Sequence, residues 1–595
     1  MRRKRKFLSL GVCLIIVGLI ASLITGCTGP GPGPEPEPGD EEPIYGGVLN
    51  VLVGADPAYF DDAIGPHYTT TTTQECLWSG DFAKGPAGGY GSDDTPWIVV
   101  TNRLDQKTGY IAESYEIHDD YLIFNLRPGV KWHDKYPCNG REVTVDDVVY
   151  SYERQMTLDT AYIKKSYPAL AAIMDVYAVD EDTVRIDCPD HERMAELLTM
   201  IDFVYIYPKD VIDLYGDMND WERCIGTGAF TLEEYVEGSY LYFERNPDWW
   251  MTYPVIGSPS DGDELPYLDG YRVYIQPDFS TQDALFTTGQ IDRHICDTVR
   301  AQSLKNLTGV HYTTYFETAN SRVIFMRMDN EGAPWADKRV RQAMQLAIDN
   351  QKLVDELYDG DGLTMYWPVW DTPEIADAYV SLEDLEDDMI EVSDTEISVA
   401  DLFGYNLELA QALMAEAGYE EGFTAEIQCY NYQFDLDSLQ AVVAMLEDIN
   451  IHLTLTTQDY ATWTTTWATR GYNEMYYGTC AGVATYFKGI NWSGTSMFNT
   501  SRVDDPVLND YRDQMLAAYP NEALVGSIHQ EMIPYLLEQC YAVQTCGALF
   551  YSLWWDWLKN YSGEGGIGYY KGLSGDRNAF VWIDEDLKES MGYGD

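Results

Sequence analysis

The chain has 595 residues, 38 of them Lys or Arg and 97 Asp or Glu, for a formal charge of −59 at pH 7. Such acidity repels nucleic acid and anionic lipid headgroups, which excludes nucleic-acid binding; it reads first as a solvated surface suited to salt or solubility, and second as a cation-selecting one. The length exceeds a single hydrophobic core and leaves room for two or three domains once a leader and a stalk are set aside.

Arg2, Arg3, Lys4, Arg5 and Lys6 precede a mostly apolar run over residues 7–24, the charged and hydrophobic regions of an export signal. The run ends in Ile24-Thr25-Gly26-Cys27. This looks like a lipobox, in which small residues admit the cleaving peptidase and the Cys27 thiol takes a lipid. The rival is an uncleaved transmembrane anchor, because the run sits at the lower limit for crossing a bilayer. Either way the body is expected outside the cytoplasm, held at the cell membrane. The next stretch, TGPGPGPEPEPGDEEP, cannot fold and should form a semi-extended stalk of roughly 3 Å per residue. Residues 1–27 are thus read as leader and 28–44 as tether.

Residues 48–53 read as a first strand, followed by a loop carrying Asp56-Pro57 and the aromatics Tyr59, Phe60 and Tyr68. Residues 121–127 mix aromatic and branched apolar side chains as a buried strand would, and Arg127-Pro128-Gly129 turns the chain. Thr144 and Asp147 form a capping box for a helix with Val148, Val149 and Tyr152 at helical spacing. Residues 183–186 read as a hairpin strand. The glycines of Gly226-Thr227-Gly228 allow close backbone approach, and Pro247 ends a strand over 240–245. Asp337 caps a helix with Val340, Met344, Ala347 and Ile348 on one face and Arg339 and Arg341 outside it. The acidic run 383–396 reads as an exposed insertion. Helices over 406–417 and 438–448 and a strand over 451–455 then point to a second α/β lobe. There is no internal repeat.

Enzyme signatures fail one by one. His191-Glu192 lacks the second histidine of a zinc-protease helix, and Gly572-Leu573-Ser574-Gly575-Asp576 fails the nucleophile-elbow spacing at its last position. No P-loop or dinucleotide fingerprint is present. His133 beside Asp134 reads as a structural hydrogen bond rather than a general base. Asp261-Gly262-Asp263 and Asp359-Gly360-Asp361 do not continue into a calcium loop and read as turns, with adventitious calcium as the rival. In so acidic a chain no carboxylate pair stands out as a glycosidase pair. The body cysteines, Cys76, Cys138, Cys188, Cys224, Cys296, Cys429, Cys480, Cys540 and Cys546, are irregularly spaced without CxxC, which supports neither zinc nor a dense disulfide framework; one or two disulfides fit an exported protein. No catalytic residue, metal or cofactor is assigned.

The order IAESYEIHDD, LRPGVKWHD and VTVDDVVYSYER, then AVDEDTVRIDCPD, then GTGAF with YLYFERNPDWW and PYLDG, then APWADKRVRQAMQLAID, spans nearly the whole body. It resembles the family 5 extracytoplasmic solute-binding proteins of peptide, nickel and oligosaccharide ABC importers. The resemblance implies an α/β, bilobal periplasmic-binding-protein-like fold with an extra subdomain in the first lobe. The first lobe would span 45–277 with the subdomain near 75–190, the second 278–535, and 536–595 would return to the first. The implied function is a lipid-anchored, non-enzymatic and monomeric receptor that captures a peptide-like or oligosaccharide solute between its lobes and delivers it to an ABC permease. The alternatives are an exported glycan or peptide hydrolase and a surface structural or adhesion protein.

The cleft candidates are Tyr59, Phe60 and Tyr68 in the first loop, Asn320 and Arg322 at the second lobe's contact strand, Trp370, and Cys480, Tyr486, Phe487 and Trp492 in the late loop. Trp463 and Trp467 read as core. Arg322 is expected to meet a ligand carboxylate or phosphate, or else to sit in a surface salt bridge. Peptide receptors of the family place an acid in the late segment to hold the peptide's amine, yet residues 476–492 contain no Asp or Glu. A buried ammonium without a counter-charge is costly, so amine capture is in doubt and a carbohydrate stacked on aromatics gains credit.

Overall fold

β1 (Val48–Val53) buries Leu49 and Val51 on one face and opens a mixed sheet in a computed structural model describing residues 42–64, 67–98, 103–316, 322–364, 376, 378–479, 499–568 and 575–593. The chain leaves β1 for a subdomain built from β2 (Ala112–Ile117), β3 (Tyr121–Leu126), α1 (Val145–Thr157), β4 (Asp175–Ala178), β5 (Thr183–Asp187) and α2 (His191–Met200). Its antiparallel sheet runs β2-β3-β5-β4. The capping box of α1 is present, and the Arg141 guanidinium grips both oxygens of its Asp147 at 2.7 Å. The chain then returns with β6 (Phe230–Val236), β7 (Tyr240–Arg245) and β8 (Gly270–Ile275), completing the order β1-β8-β7-β6 with β1 parallel to β8.

β9 (Arg293–Asp297), α3 (Thr298–Leu304) and β10 (Val310–Tyr315) follow. Phe286, Ile291, Cys296 and Ala301 share one hydrophobic cluster with Leu49, Phe243 and Tyr271, so this stretch packs with the first core. The core that begins with β1 thus continues through β10. The second lobe's sheet begins with β11 (Arg322–Met326), followed by α4 (Lys338–Leu346). It continues through β12 (Phe423–Tyr430), α5 (Gln433–Leu446), β13 (Ile451–Gln458), α6 (Tyr460–Thr469) and β14 (Met475–Thr479). After α7 (Pro506–Ala518) and α8 (Glu522–Gln539), β15 (Ala542–Gln544) closes the order β13-β12-β14-β11-β15. β16 (Phe550–Trp555) pairs between β9 and β10, so after β15 the chain rejoins the core that holds those strands.

Three further readings change. Arg341 is buried, not outside the apolar face of α4, because its guanidinium donates to the carbonyls of Trp335, Ala336 and Gln539. α5 starts at Gln433, a turn before the expected 438. The eight described body cysteines are buried, and no disulfide joins them to one another. The acidic insertion is largely exposed and folds as a hairpin, Met389–Val392 against Thr395–Ser398, pinned by buried Val392. Among the described residues no helix is long and apolar enough to cross a membrane.

Candidate functional site

β12 pairs parallel with β13 on one side and β14 on the other. The right-handed crossovers β12 to β13 and β13 back past β12 to β14 step in opposite directions, which puts α5 and α6 on opposite faces and opens a crevice at the strands' carboxyl ends. β11 runs antiparallel to β14 with Arg322 opposite Thr479, which brings Arg322 to that same end. The segments entering both helices meet there. Asp459 caps α6 by accepting from the Thr462 amide, and Tyr432 precedes the first turn of α5.

Arg322 donates from Nε and a terminal nitrogen to Oδ2 of Asp435, at 3.1 and 2.9 Å. The side chains are 8% and 4% exposed, so this is a buried pair and not a surface salt bridge. Burial pushes the Asp435 carboxyl above its usual range while Arg322 pulls it back. The guanidinium lies 5.1 Å over the Trp463 ring, and the Trp463 indole donates to the Tyr477 carbonyl. Above these groups stand Tyr430, Tyr432 and Tyr460. Tyr430 is 5.5 Å from Trp463, 5.5 Å from Tyr460 edge-on and 5.7 Å from Tyr432. Burial raises the Tyr430 phenol and takes the Tyr432 phenol up to about 12.

The first lobe supplies the opposing surface. Phe279 sits edge-on to Tyr432 at 6.0 Å with the Arg300 guanidinium 4.7 Å over its ring, and Arg300 is itself engaged by Asp283. Nearby, Oδ2 of Asp361 accepts from the Tyr551 hydroxyl at 2.6 Å and from Thr298 and Gln302 at 3.1 Å, with Lys305 at 3.5 Å. Asp359 and Gly360 take positive φ of 54° and 84°, so the Asp359-Gly360-Asp361 sequence is a turn that delivers Asp361 to this interlobe clasp. Among the described residues no group of three or more His, Cys, Asp or Glu is arranged to hold a metal ion.

The first-loop aromatics lie within the first lobe. Phe60 belongs to its core, Tyr68 packs against that core with its hydroxyl on the Ala55 carbonyl, and the half-buried Tyr59 faces His67. Cys27, Asn320, Trp370, Cys480, Tyr486, Phe487 and Trp492 lie outside the described residues. Of the described candidates, only Arg322 is placed in the crevice built above. Tyr430, Tyr432, Asp435 and Tyr460 were missed. Tyr432 and Tyr460 lie just after strands, the signal used for the first loop, which would have found them; Tyr430 closes its strand and Asp435 lies in the first turn of α5.

The sequence over residues 108–496 matches the family described as bacterial extracellular solute-binding proteins, family 5 Middle. The chain belongs to this family. It is 27% identical over 335 residues to heme-binding protein A of Haemophilus influenzae, covering 53% of this chain and 54% of that protein. It is 27% identical over 341 residues to the dipeptide-binding protein of Escherichia coli, covering 53% and 56%. The chain thus spans about half the length of these curated relatives. Its fold matches the oligopeptide-binding protein AppA of Bacillus subtilis in complex with a nonapeptide, with a TM-score of 0.66 at 18% identity over 91% of this chain and 100% of that one. The bilobal architecture is that of this family 5 member's structural neighbours.

Proposed function

We propose that this family 5 protein is an extracytoplasmic receptor that captures a small solute, peptide-like or oligosaccharide, between its lobes and hands it to an ABC permease. The observation that carries the reading is the crevice at the carboxyl ends of β12, β13 and β14, walled by tyrosines and faced by Phe279 of the other lobe. Such a site recognises from both sides only when closed, which couples capture to a shape a permease can read. The relatives are named as binding proteins for heme and dipeptides, which supports a receptor over the hydrolase alternative.

A calorimetric screen of peptides, oligosaccharides and metal chelates should find one class that binds without turnover; hydrolysis of any of them would sink the receptor reading. We further propose that Cys27 carries a lipid and holds the body, as a monomer, at the cell membrane through the Pro-rich tether. Cys27→Ala should then move the protein from the membrane to the soluble fraction, whereas unchanged fractionation would point to a transmembrane anchor instead.

A further inference from the structure

We propose that Tyr430, Tyr432 and Tyr460 form a stacking subsite for an uncharged sugar ring of the captured solute. The inference rests on the receptor reading and names its solute class. Tyr430 ends β12, Tyr432 precedes α5 and Tyr460 begins α6, so the crossover that makes the crevice also gathers the three rings at its floor. Tyr460 is 62% exposed, and Phe279 of the opposite lobe is 44% exposed. Large apolar rings left open at a crevice, packed edge to face against one another, present flat surface to a partner. The C–H faces of a pyranose match such surface, with the ring's hydroxyls left at its edge.

The polar chemistry points the same way. The described contacts of Tyr430, Tyr432 and Tyr460 are ring contacts, and no protein group among the described residues meets their hydroxyls. Each phenol is a donor and acceptor available to a sugar hydroxyl. The nearby cations, by contrast, are already engaged, Arg322 by Asp435, Arg300 by Asp283, and Lys305 beside Asp361, while the Asp297 carboxylate beside Tyr432 caps α3 by accepting from the Arg300 amide. An anionic end group entering here would break one of those pairs or go unpaired, and a cationic one would compete with the α3 cap for Asp297; both are costly in a buried setting. An uncharged ring meets neither cost.

The test is calorimetry of the full chain and of Tyr432→Ala, Tyr460→Ala and Tyr460→Phe with cellohexaose, maltohexaose, chitohexaose and a tetra-alanine with free or blocked termini. The expected result is binding of at least one hexasaccharide, weakened about tenfold or more by each alanine change and less than threefold by Tyr460→Phe, which keeps the ring. The unliganded melting temperature of Tyr460→Ala should match the parent, separating lost contact from lost fold. Sugar binding that ignores the tyrosines overturns the proposal, and so does binding of the tetrapeptide alone, although the receptor reading then survives. If no probe binds and scattering shows no closure, the receptor reading fails along with it.

Discussion

The signature over residues 109–154 and the crevice of the five-stranded sheet use polar groups in opposite ways. In the first, His133 is buried; its Nε2 donates to the Gly228 carbonyl at 3.0 Å while its Nδ1 accepts from the Gly226 amide at 3.3 Å, and its own amide donates to the Gly226 carbonyl. Arg154 reaches both oxygens of Asp61 at 2.7 and 2.5 Å, 9% and 4% exposed. These groups find their partners within the chain. At the crevice the phenols of Tyr430, Tyr432 and Tyr460 are left open. The residues that identify the family are those whose partners are internal, and so are fixed by the fold; those that would choose a solute complete their bonds outside the chain, and the fold leaves them free to vary.

The hardest blow to the signature is Arg154→Ala. It strands a buried carboxylate on Asp61, and removal of one partner of such a pair costs about 3–5 kcal/mol. Urea unfolding should show that loss, while solute affinity of the remaining folded protein stays unchanged; an affinity loss matching the stability loss would break the division between the two regions. Gly226→Ala comes next. A Cβ there would lie 1.8 Å from the Thr73 carbonyl oxygen, backbone that cannot step aside. The expected penalty is about 3 kcal/mol, the upper part of the overpacking range, again by chemical denaturation.

The fold was legible where local pattern and tertiary role agree. Leu49 and Val51 alternate as a half-buried strand should, Thr144 and Asp147 announce α1, and the helix read over 406–417 runs from Leu407 to Glu416 behind an Asn406 cap. It was illegible where distant partners decide. Nothing local tells that Arg341 will spend its guanidinium on three carbonyls, one of them from Gln539, nearly two hundred residues away. The polar first turn of α5 hid the helix start, since Gln433, Asp435 and Asp437 break the apolar spacing. Asp435 is buried only because Arg322 arrives from another strand. For the same reason the sequence showed Arg322 but neither its partner nor the tyrosines around it.

Acid sharpens the comparison further, because the signature carries a buried histidine. Burial holds His133 down to about 4, against an ordinary value near 6.5. The unfolded imidazole therefore takes up a proton that the folded one refuses, and stability present above about pH 6.5 is lost as pH falls toward 4. His529, also held down to about 4 by burial, acts in the same direction. His133→Gln should lower stability at neutral pH and flatten the decline by about 3 kcal/mol across that window. An unaltered pH profile would show that His133 is not what ties the signature to Gly226 and Gly228.

The smallest effect belongs where the two regions join. Glu522, at the start of α8, accepts the Leu104 amide of the signature side on both oxygens at 3.2 Å. The charges around it are already committed, Arg103 to Asp105 and Lys107 to Asp202, with the Tyr519 phenol buried alongside. Burial lifts the carboxyl to about 7 from an ordinary 4.5, so the folded protein keeps a proton that the unfolded chain releases. Here stability is full below about pH 4.5 and falls as pH rises through 7, opposite in sign to His133. Because Glu522 keeps part of its surface in solvent, screening should hold the contribution to about 1 kcal/mol or less. Glu522→Gln keeps an acceptor for Leu104 and removes the titration. The stability difference between Glu522→Gln and its parent should therefore move in the variant's favour by up to about 1 kcal/mol as pH rises from 5 to 7, and the two profiles would run parallel if the join carried no titrating contact.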